Sequence, residues 1–352
     1  EGADTMAPKI RTIVFWKAGT RKMTAAALTL VAAVFLMPAL LLRGEPLYQP
    51  GQSTPGEDGT VLTPGQTAQS MKDRGRAVRL QMEDGTVQEM TMADYLWGVV
   101  AAEMPASFEE EALKAQACAA RTYTVICQGA SKHPEADICA DSTCCQAYIQ
   151  RDAAEARWGL NAGEYSDKIQ RAVEGTDGLG ILYQGEPIQA LFFSSAAGRT
   201  VDAVEVWGGS VPYLTGVASP EGEEVPDYRS QVMVPLEEFK TAFLAQYPQA
   251  DLSGEAAGWF QNTVPTSNGG VETVDVGGVT VKGTALRTLF DLRSTHFTAS
   301  AGPEGITFHV TGYGHGVGLS QYGANALAKQ GRTWQEIVAW YYTGVTVGTY
   351  AT

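Results

Sequence analysis

The chain has 352 residues, 44% of them hydrophobic, enough for one large domain or two modest ones with a buried core and too apolar for wholesale disorder. Its formal net charge is −14, which excludes a nucleic-acid binder and supplies no phosphate-binding patch. The five cysteines, Cys118, Cys127, Cys139, Cys144 and Cys145, crowd into 28 residues; an odd, clustered set favours metal binding over scattered disulfide stapling.

Residues 24–42 (TAAALTLVAAVFLMPALLL) carry no charge. As a helix they would be about 28 Å long, matching the hydrocarbon core of a bilayer. The preceding flank, residues 1–23, holds Lys9, Arg11, Lys17, Arg21 and Lys22 and is expected to stay inside while the rest crosses. A cleaved signal peptide is the competing reading, but the apolar run is longer than its usual core and no A-x-A site follows. Residues 43–75, rich in Gly, Pro, Thr, Gln and Ser, read as a flexible tether. The expected location is therefore the cell membrane, single-pass, with residues 76–350 outside the cytoplasm.

In that exported part, Ala77–Met82 and Val87–Met90 alternate around Asp84-Gly85 as a hairpin. Asp94 reads as the N-cap of a helix, YLWGVVAAEM, stopped by Pro105. Leu96, Val99, Val100 and Glu103 share one face of it, so a carboxyl lies in line with the core-facing stripe. Ser107-Phe108-Glu109-Glu110 has the pattern of a capping box opening an alanine-rich helix, on which Lys114 and Arg121 point the same way two turns apart. Further helix is expected in 153–159 and 169–174, then strands over 180–184 and 187–198. Residues 226–300 read as a mixed subdomain with a helix at 235–247, a hairpin around Gly277-Gly278 and a second helix. The end of the chain reads as a strand at 306–312, a glycine-rich turn, and two short helices capped by Ser320 and Thr333, with Gly331 and Gly344 closing them.

Three groups of residues have chemistry to offer. A carboxyl on an apolar face loses hydration, its pKa rises, and it becomes a general acid near neutrality; that is one reading of Glu103, a buried ion pair with Lys114 or Arg121 being the other. His133, Cys139, Cys144 and Cys145, within 13 residues, match the Cys₃His inventory of a closed zinc site, although adjacent cysteines rarely both ligate without strain; a local disulfide with a spare thiol is the alternative. In GYGHGVGLSQYG the glycines require close backbone approach, but no P-loop or dinucleotide spacing is present, and His315 near Ser320 is only a weak hint of a hydrolase pair.

The blocks DYLWGVVAAEMPASFEEEALKAQACAARTYTV, FFSSAAGRTVDAVEVWGGSVPYLTGVASP and GYGHGVGLSQYGANALAKQG, in this order, resemble the stage II sporulation protein D (SpoIID) family over roughly residues 76 to 348. The resemblance implies an α+β, two-lobed catalytic domain behind a transmembrane helix and linker. It implies a lytic transglycosylase that cuts the MurNAc–GlcNAc bond of denuded peptidoglycan glycan strands, leaving 1,6-anhydroMurNAc ends, in sporulation and engulfment. Glu103 falls on the family's catalytic glutamate. Lys114 and Arg121 are then expected to orient it or bind sugar, and Ser194, Ser195, Trp207, His315, Ser320, Gln321 and Tyr322 to line a saccharide cleft. The 133–145 segment is similar to a zinc-binding insertion of clostridial relatives, with Cys144 where those have His. Residues 192–198 are less polar than the family pattern. A stage II sporulation protein P amidase is the implied partner. Two other readings stand beside this one: a non-catalytic wall protein that binds glycan or scaffolds an amidase, and a zinc hydrolase, for which no HExxH pattern is present.

Overall fold

The computed structural model describes residues 72–130 and 132–350; the expected anchor at 24–42, its basic flank and the linker as far as residue 71 lie outside the described residues. Among the described residues no helix is long and apolar enough to cross a membrane.

The described chain is a mixed α+β assembly with two hydrophobic cores. It opens with a 3₁₀ turn, Asp73–Gly75, and the hairpin β1 (Ala77–Gln81) and β2 (Val87–Thr91), paired antiparallel from Ala77↔Thr91 to Gln81↔Val87. The first helix, α1 (Met92–Glu103), begins ahead of the expected Asp94. Its cap is Thr91, whose hydroxyl accepts from Asp94 N–H and donates to the Asp94 carboxylate, so Asp94 is the third helical residue. The second, α2 (Glu110–Ala130), starts later than its capping-box pattern predicts. Glu109 precedes it, with its N–H taken by Asn325 Oδ1 from far along the chain, so tertiary contact replaces the local box.

A two-residue strand, β3 (Ile138–Cys139), lies parallel to β1 in a sheet ordered β2-β1-β3. Helices α3 (Arg151–Trp158) and α4 (Ala162–Glu174) follow, then β4 (Gly180–Tyr183), β5 (Glu186–Pro187) and β6 (Phe192–Phe193). The long strand expected over 187–198 is broken, because Ser195 pairs with Tyr313 and Ala196 N–H goes to the Glu221 side chain instead of a continuous ladder. The short helix α5 (Ala203–Trp207) carries a full capping box between Asp202 and Glu205.

The second core is built from β7 (Arg229–Pro235), α6 (Leu236–Gln246), β8 (Phe260–Pro265), the hairpin β9 (Val271–Val276) and β10 (Val279–Lys282), α7 (Gly283–Leu289), β11 (Phe297–Ala301) and β12 (Gly305–Thr311). Strand β12 is the middle strand of the sheet β11-β12-β7, with Ile306, Phe308 and Val310 pointing inward, so this core extends past residue 300, where the subdomain is expected to end. The chain then returns to the first core through the glycine turn, β13 (Leu319–Ser320) parallel to β6, α8 (Gln321–Lys329), α9 (Trp334–Tyr341) and β14 (Thr346–Gly348). Ser320 and Thr333 are both N-caps, Thr333 within a complete capping box with Glu336, and Gly331 and Gly344 take positive φ.

The expected linker ends too late. Asp73 is 2% exposed and clamps Arg121, which is fully buried in α2, with Nη2 to Oδ2 at 2.7 Å and Nε to Oδ1 at 2.9 Å. Arg121 also donates to the carbonyls of Val173 and Leu179 and to the Thr176 hydroxyl. Removing one partner of such a pair strands the other charge, so Asp73→Ala should lower unfolding free energy by about 3–5 kcal/mol. Urea titration of the variant checks this; a loss under about 1 kcal/mol would mean that the 3₁₀ turn is dispensable.

Candidate active site and metal cluster

Glu103 ends α1, on the face that also carries the fully buried Leu96, Val99 and Val100. It is partly buried. Its Oε1 accepts the Ala147 N–H at 2.7 Å, and its Oε2 lies 3.4 Å from Gln321 Nε2. Desolvation pushes its pKa above the ordinary carboxyl value, against the lowering effect of these two neutral donors. The negative end of the α1 dipole acts in the same direction as desolvation. Among the described residues no Lys, Arg or His lies within ion-pair distance of it, so the ion-pair reading does not hold.

Lys114 and Arg121 do share a face of α2, as their spacing requires, but that face turns toward residues 173–179. Lys114 Nζ lies 2.7 Å from Glu111 and 3.1 Å from Glu110, with its stem beside Gly175, and Arg121 is sealed in against Asp73. Neither orients Glu103. Both hold ion pairs within the fold, and Arg121, fully buried, is corrected from a sugar ligand to a structural residue.

What does orient Glu103 is the segment after the cysteines. Ile149 N–H donates to the Gly98 carbonyl, and a Cβ on Gly98 would meet the Ile149 oxygen at 2.8 Å as well as the Tyr148 ring. Gly98 therefore lets residues 147–149 lie against α1, which brings the Ala147 N–H onto the carboxyl. On the other side, the buried Gln116 of α2 accepts from Gln321 at 3.5 Å, linking three helices at one point.

Two residues before Ala147, the donor atoms of His133, Cys139, Cys144 and Cys145 all lie within 4.8 Å of one another. His133 Nε2 is 3.2 Å from Cys145 Sγ and 3.9 Å from Cys144 Sγ, and the two sulfurs are 3.9 Å apart. Edges of a tetrahedral zinc site with these donors are about 3.3–3.8 Å. The N–H groups of Cys144 and Cys145 both reach the Asp141 carbonyl, at 3.0 and 2.7 Å, and this tight turn is how adjacent cysteines present both sulfurs to one side. The described cysteines are free thiols, and Lys132 Nζ sits 3.7 Å from Cys145 Sγ. Cys118 stands apart as a core residue, its thiol pushed up to about 12 by burial.

The glycine turn takes positive φ at Gly312, Gly314, Gly316 and Gly318, and it packs along residues 191–196. Within it His315 uses both ring nitrogens on the backbone, Nε2 against the Phe192 carbonyl at 3.1 Å and Nδ1 accepting from Val317 N–H at 3.2 Å. Burial, aided by the Arg287 charge, lowers its pKa to about 4, so it is neutral and shapes the loop. Trp207 lies against its ring at 5.7 Å between centroids. Ser320 is engaged as the α8 cap and by the Glu221 carboxylate, so a His315–Ser320 hydrolase pair is absent. The Ser194 carbonyl receives Tyr322 N–H at 3.0 Å, Ser195 pairs with Tyr313, and Tyr322 sets its ring edge-on to Phe108 at 4.9 Å. Gln321 is thus the one member of the expected saccharide-binding set that reaches Glu103 by a hydrogen bond.

Glu221 is a residue that sequence reasoning missed. It is 4% exposed and its Oε1 accepts from Ala196 N–H at 2.6 Å and from the Ser320 hydroxyl, tying the 194–196 segment to the start of α8. Within ASPEGEEV nothing distinguishes it from Glu223 and Glu224. A cavity of about 410 Å³ lined by Asp251, Trp259, Asn262 and Asp275 shares no residue with this constellation, and its Asn262 and Asp275 already bond each other.

Comparison with known proteins agrees with the blocks that meet here. The SpoIID family model, described as stage II sporulation protein, matches residues 81–183, which contain Glu103 and the cysteine cluster. The chain is 36% identical over 265 residues to stage II sporulation protein D of Bacillus amyloliquefaciens, covering 74% of this chain and 75% of that protein. It is 33% identical over 325 residues to stage II sporulation protein D of Bacillus subtilis, covering 90% and 93%. It is 29% identical over 307 residues to a Bacillus subtilis protein called amidase enhancer, covering 72% of this chain and 40% of that one. Identity at this level over most of both chains places the protein in the stage II sporulation protein D family.

Proposed function

We propose that this protein is a lytic transglycosylase of the cell wall, acting in sporulation on the MurNAc–GlcNAc bond of denuded glycan strands, and held to the membrane by residues 24–42. The observation that carries the reading is a desolvated Glu103 carboxyl whose hydrogen-bond partners are neutral donors, with no cation to hold it ionised. Such a group holds its proton to higher pH than an ordinary carboxyl and can deliver it to a glycosidic oxygen.

In the proposed reaction Glu103 donates its proton to O4 of the leaving GlcNAc as the bond from C1 of MurNAc breaks. The resulting carboxylate then takes the proton from the C6 hydroxyl as O6 bonds to C1. Water is not consumed and the carboxyl ends as it began. Hydrolytic glycosidases need a second carboxyl flanking the bond. The buried Glu221 is closed off by Ala196 and Ser320 and does not supply it. The internal C6 nucleophile removes that need.

His133, Cys139, Cys144 and Cys145 are proposed to hold a zinc ion whose task is structural. Four protein donors close a tetrahedral site, which argues against a zinc hydrolase. When bound, the ion would cross-link the loop that ends in Ala147. Of the chain's own residues, Ala147 and Gln321 aim the Glu103 carboxyl, while Gly98 admits the loop.

An amidase-scaffolding reading draws on the amidase enhancer likeness, and a stage II sporulation protein P amidase remains the proposed partner in either case. Purified chain with denuded glycan separates the two: the enzyme generates anhydro ends detectable by mass spectrometry, a scaffold only co-sediments. In that assay Glu103→Gln should lower the rate by about 10²–10⁴-fold; unchanged release of anhydro products would reject the assignment. The same variant has a stability signature. Because the folded-state pKa of Glu103 is raised, its neutral form contributes stability that is full below the unfolded value and is lost as pH rises through the folded one. Thermal melts from pH 4 to pH 8 should therefore show the wild type losing ground relative to Glu103→Gln, with the gap widest at the alkaline end. Chelation should lower the melting temperature and the activity together; loss of turnover with an unshifted melt would point instead to an ion in the chemistry.

A further inference from the structure

Two arginines of the second core, Arg287 on α7 and Arg293 in the loop after it, converge on Tyr313 in the glycine turn. Arg293 stacks its guanidinium over the Tyr313 ring at 4.3 Å from the centroid, and Tyr313 is 46% exposed. The Arg293 Nε is buried with no hydrogen-bond partner. Its nearest carboxylate, Asp227, is 3.8 Å away and 80% exposed, a contact too long and too wet to neutralise it. Arg287 donates Nε to the Leu292 carbonyl at 3.2 Å, and among the described residues no carboxylate lies within ion-pair distance of it. Burial pulls its pKa below the ordinary guanidinium value, and its charge is felt at His315. In a chain of net charge −14, two guanidinium groups with only loose acidic neighbours, Asp227 at 3.8 Å from Arg293 and Asp291 beyond ion-pair distance from Arg287, stand beside one exposed ring.

Their position connects them to Glu103. Tyr313 pairs with Ser195, the adjacent Ser194 carbonyl receives Tyr322 N–H, and Tyr322 follows Gln321, which reaches the Glu103 carboxyl. Tyr322 also feels the Arg293 charge. The two arginines are thus linked to the proton donor through a chain of backbone pairings and side-chain contacts that passes the buried Ser195 and Gln321.

We propose that Arg287 and Arg293, with the Tyr313 ring, form an anion subsite that takes the free lactyl carboxylate of a MurNAc residue in the bound glycan. The inference rests on the glycan reading above and deepens it. A denuded MurNAc carries a carboxylate on a short arm off the sugar ring, and a planar fork of donors beside an aromatic face fits a carboxylate next to a pyranose. In a peptide-bearing strand that same carboxyl is an amide and has no charge to offer, so the subsite makes the enzyme selective for denuded strands.

The test is calorimetric binding to the full chain carrying Glu103→Gln, which holds glycan without turning it over. The probes are denuded glycan oligomers, the same oligomers with lactyl carboxyls converted to amides, and oligomers still bearing stem peptides. The denuded form should bind about ten-fold or more tighter than the amidated one, as one or two charge-assisted hydrogen bonds would give. Adding Arg287→Gln and Arg293→Gln should erase that difference while leaving affinity for the amidated oligomer in place, which also shows that the double variant is folded. Equal binding of the two forms to the chain with its arginines intact would overturn the proposal. So would an equal loss for both forms in the double variant. Tight, arginine-dependent binding of the peptide-bearing oligomer would assign the subsite to a stem-peptide carboxylate and overturn the lactyl assignment. Anhydro-end release by the chain with Glu103 in place reads the lyase chemistry separately: ends without carboxylate selectivity reject the subsite alone, and selectivity without ends rejects the lyase alone.

Discussion

A carboxyl group at the end of a buried helix is costly to ionise, and the protein spends several elements on keeping one there without giving it a cation. Glu103 shares its helix face with Leu96, Val99 and Val100, accepts one backbone N–H, and touches one amide. A lysine or arginine in the same place would lower its pKa and hold it as a carboxylate. The two basic residues on the neighbouring helix are instead committed elsewhere, Lys114 to Glu110 and Glu111 and Arg121 to Asp73. Those pairs serve the fold, and among the described residues no cation is left within ion-pair distance of Glu103.

The three helices that meet at this carboxyl come from distant parts of the sequence. Glu103 ends α1, Gln116 is on α2, and Gln321 starts α8 more than two hundred residues later. The parts of the chain between them supply the constraints that fix the meeting point. The cysteine cluster closes the loop that delivers Ala147, and Glu221 fastens the 194–196 segment to the α8 cap. Each of these holds a segment that ends at the site, so a change at any of them is felt at the carboxyl through geometry.

Local patterns in the sequence brought out the buried carboxyl and the His–Cys cluster, because both are marked by residues close together in the chain. The apolar spacing around Glu103 and the density of thiols after His133 are visible without tertiary information. The caps at Ser320 and Thr333 were equally legible, since a cap is a contact over three residues. Legibility failed where a residue's role depends on a partner far away. Asp73 sits in a stretch of linker-like composition and is recognisable only once Arg121 is opposite it. Ser107 has the local pattern of a cap, but Asn325 takes the N–H of Glu109 and the helix starts later. Residues 187–198 have strand-like composition, yet only Pro187, at the end of β5, and Phe192 and Phe193 lie in strands, because neighbouring backbone groups are claimed by Tyr313 and Glu221.

The lone face of α2 shows why spacing alone misassigns function. Lys114 and Arg121, seven residues apart, do point the same way, and a helix guarantees that much. It does not say what lies opposite. Here the opposite surface is the end of α4 and the turn at 173–179, whose carbonyls and hydroxyl suit a buried guanidinium and offer a sugar nothing. Buried arginine donors without a hydrogen-bond partner occur at Arg76, which stacks over Tyr350, and at Arg293 in the second core, and no periodicity marks either. A positive charge is informative about ligands only after its intramolecular partners are counted: Arg121 is sealed against Asp73, whereas Arg293 meets its carboxylate at 3.8 Å and Arg287 has none within ion-pair distance among the described residues.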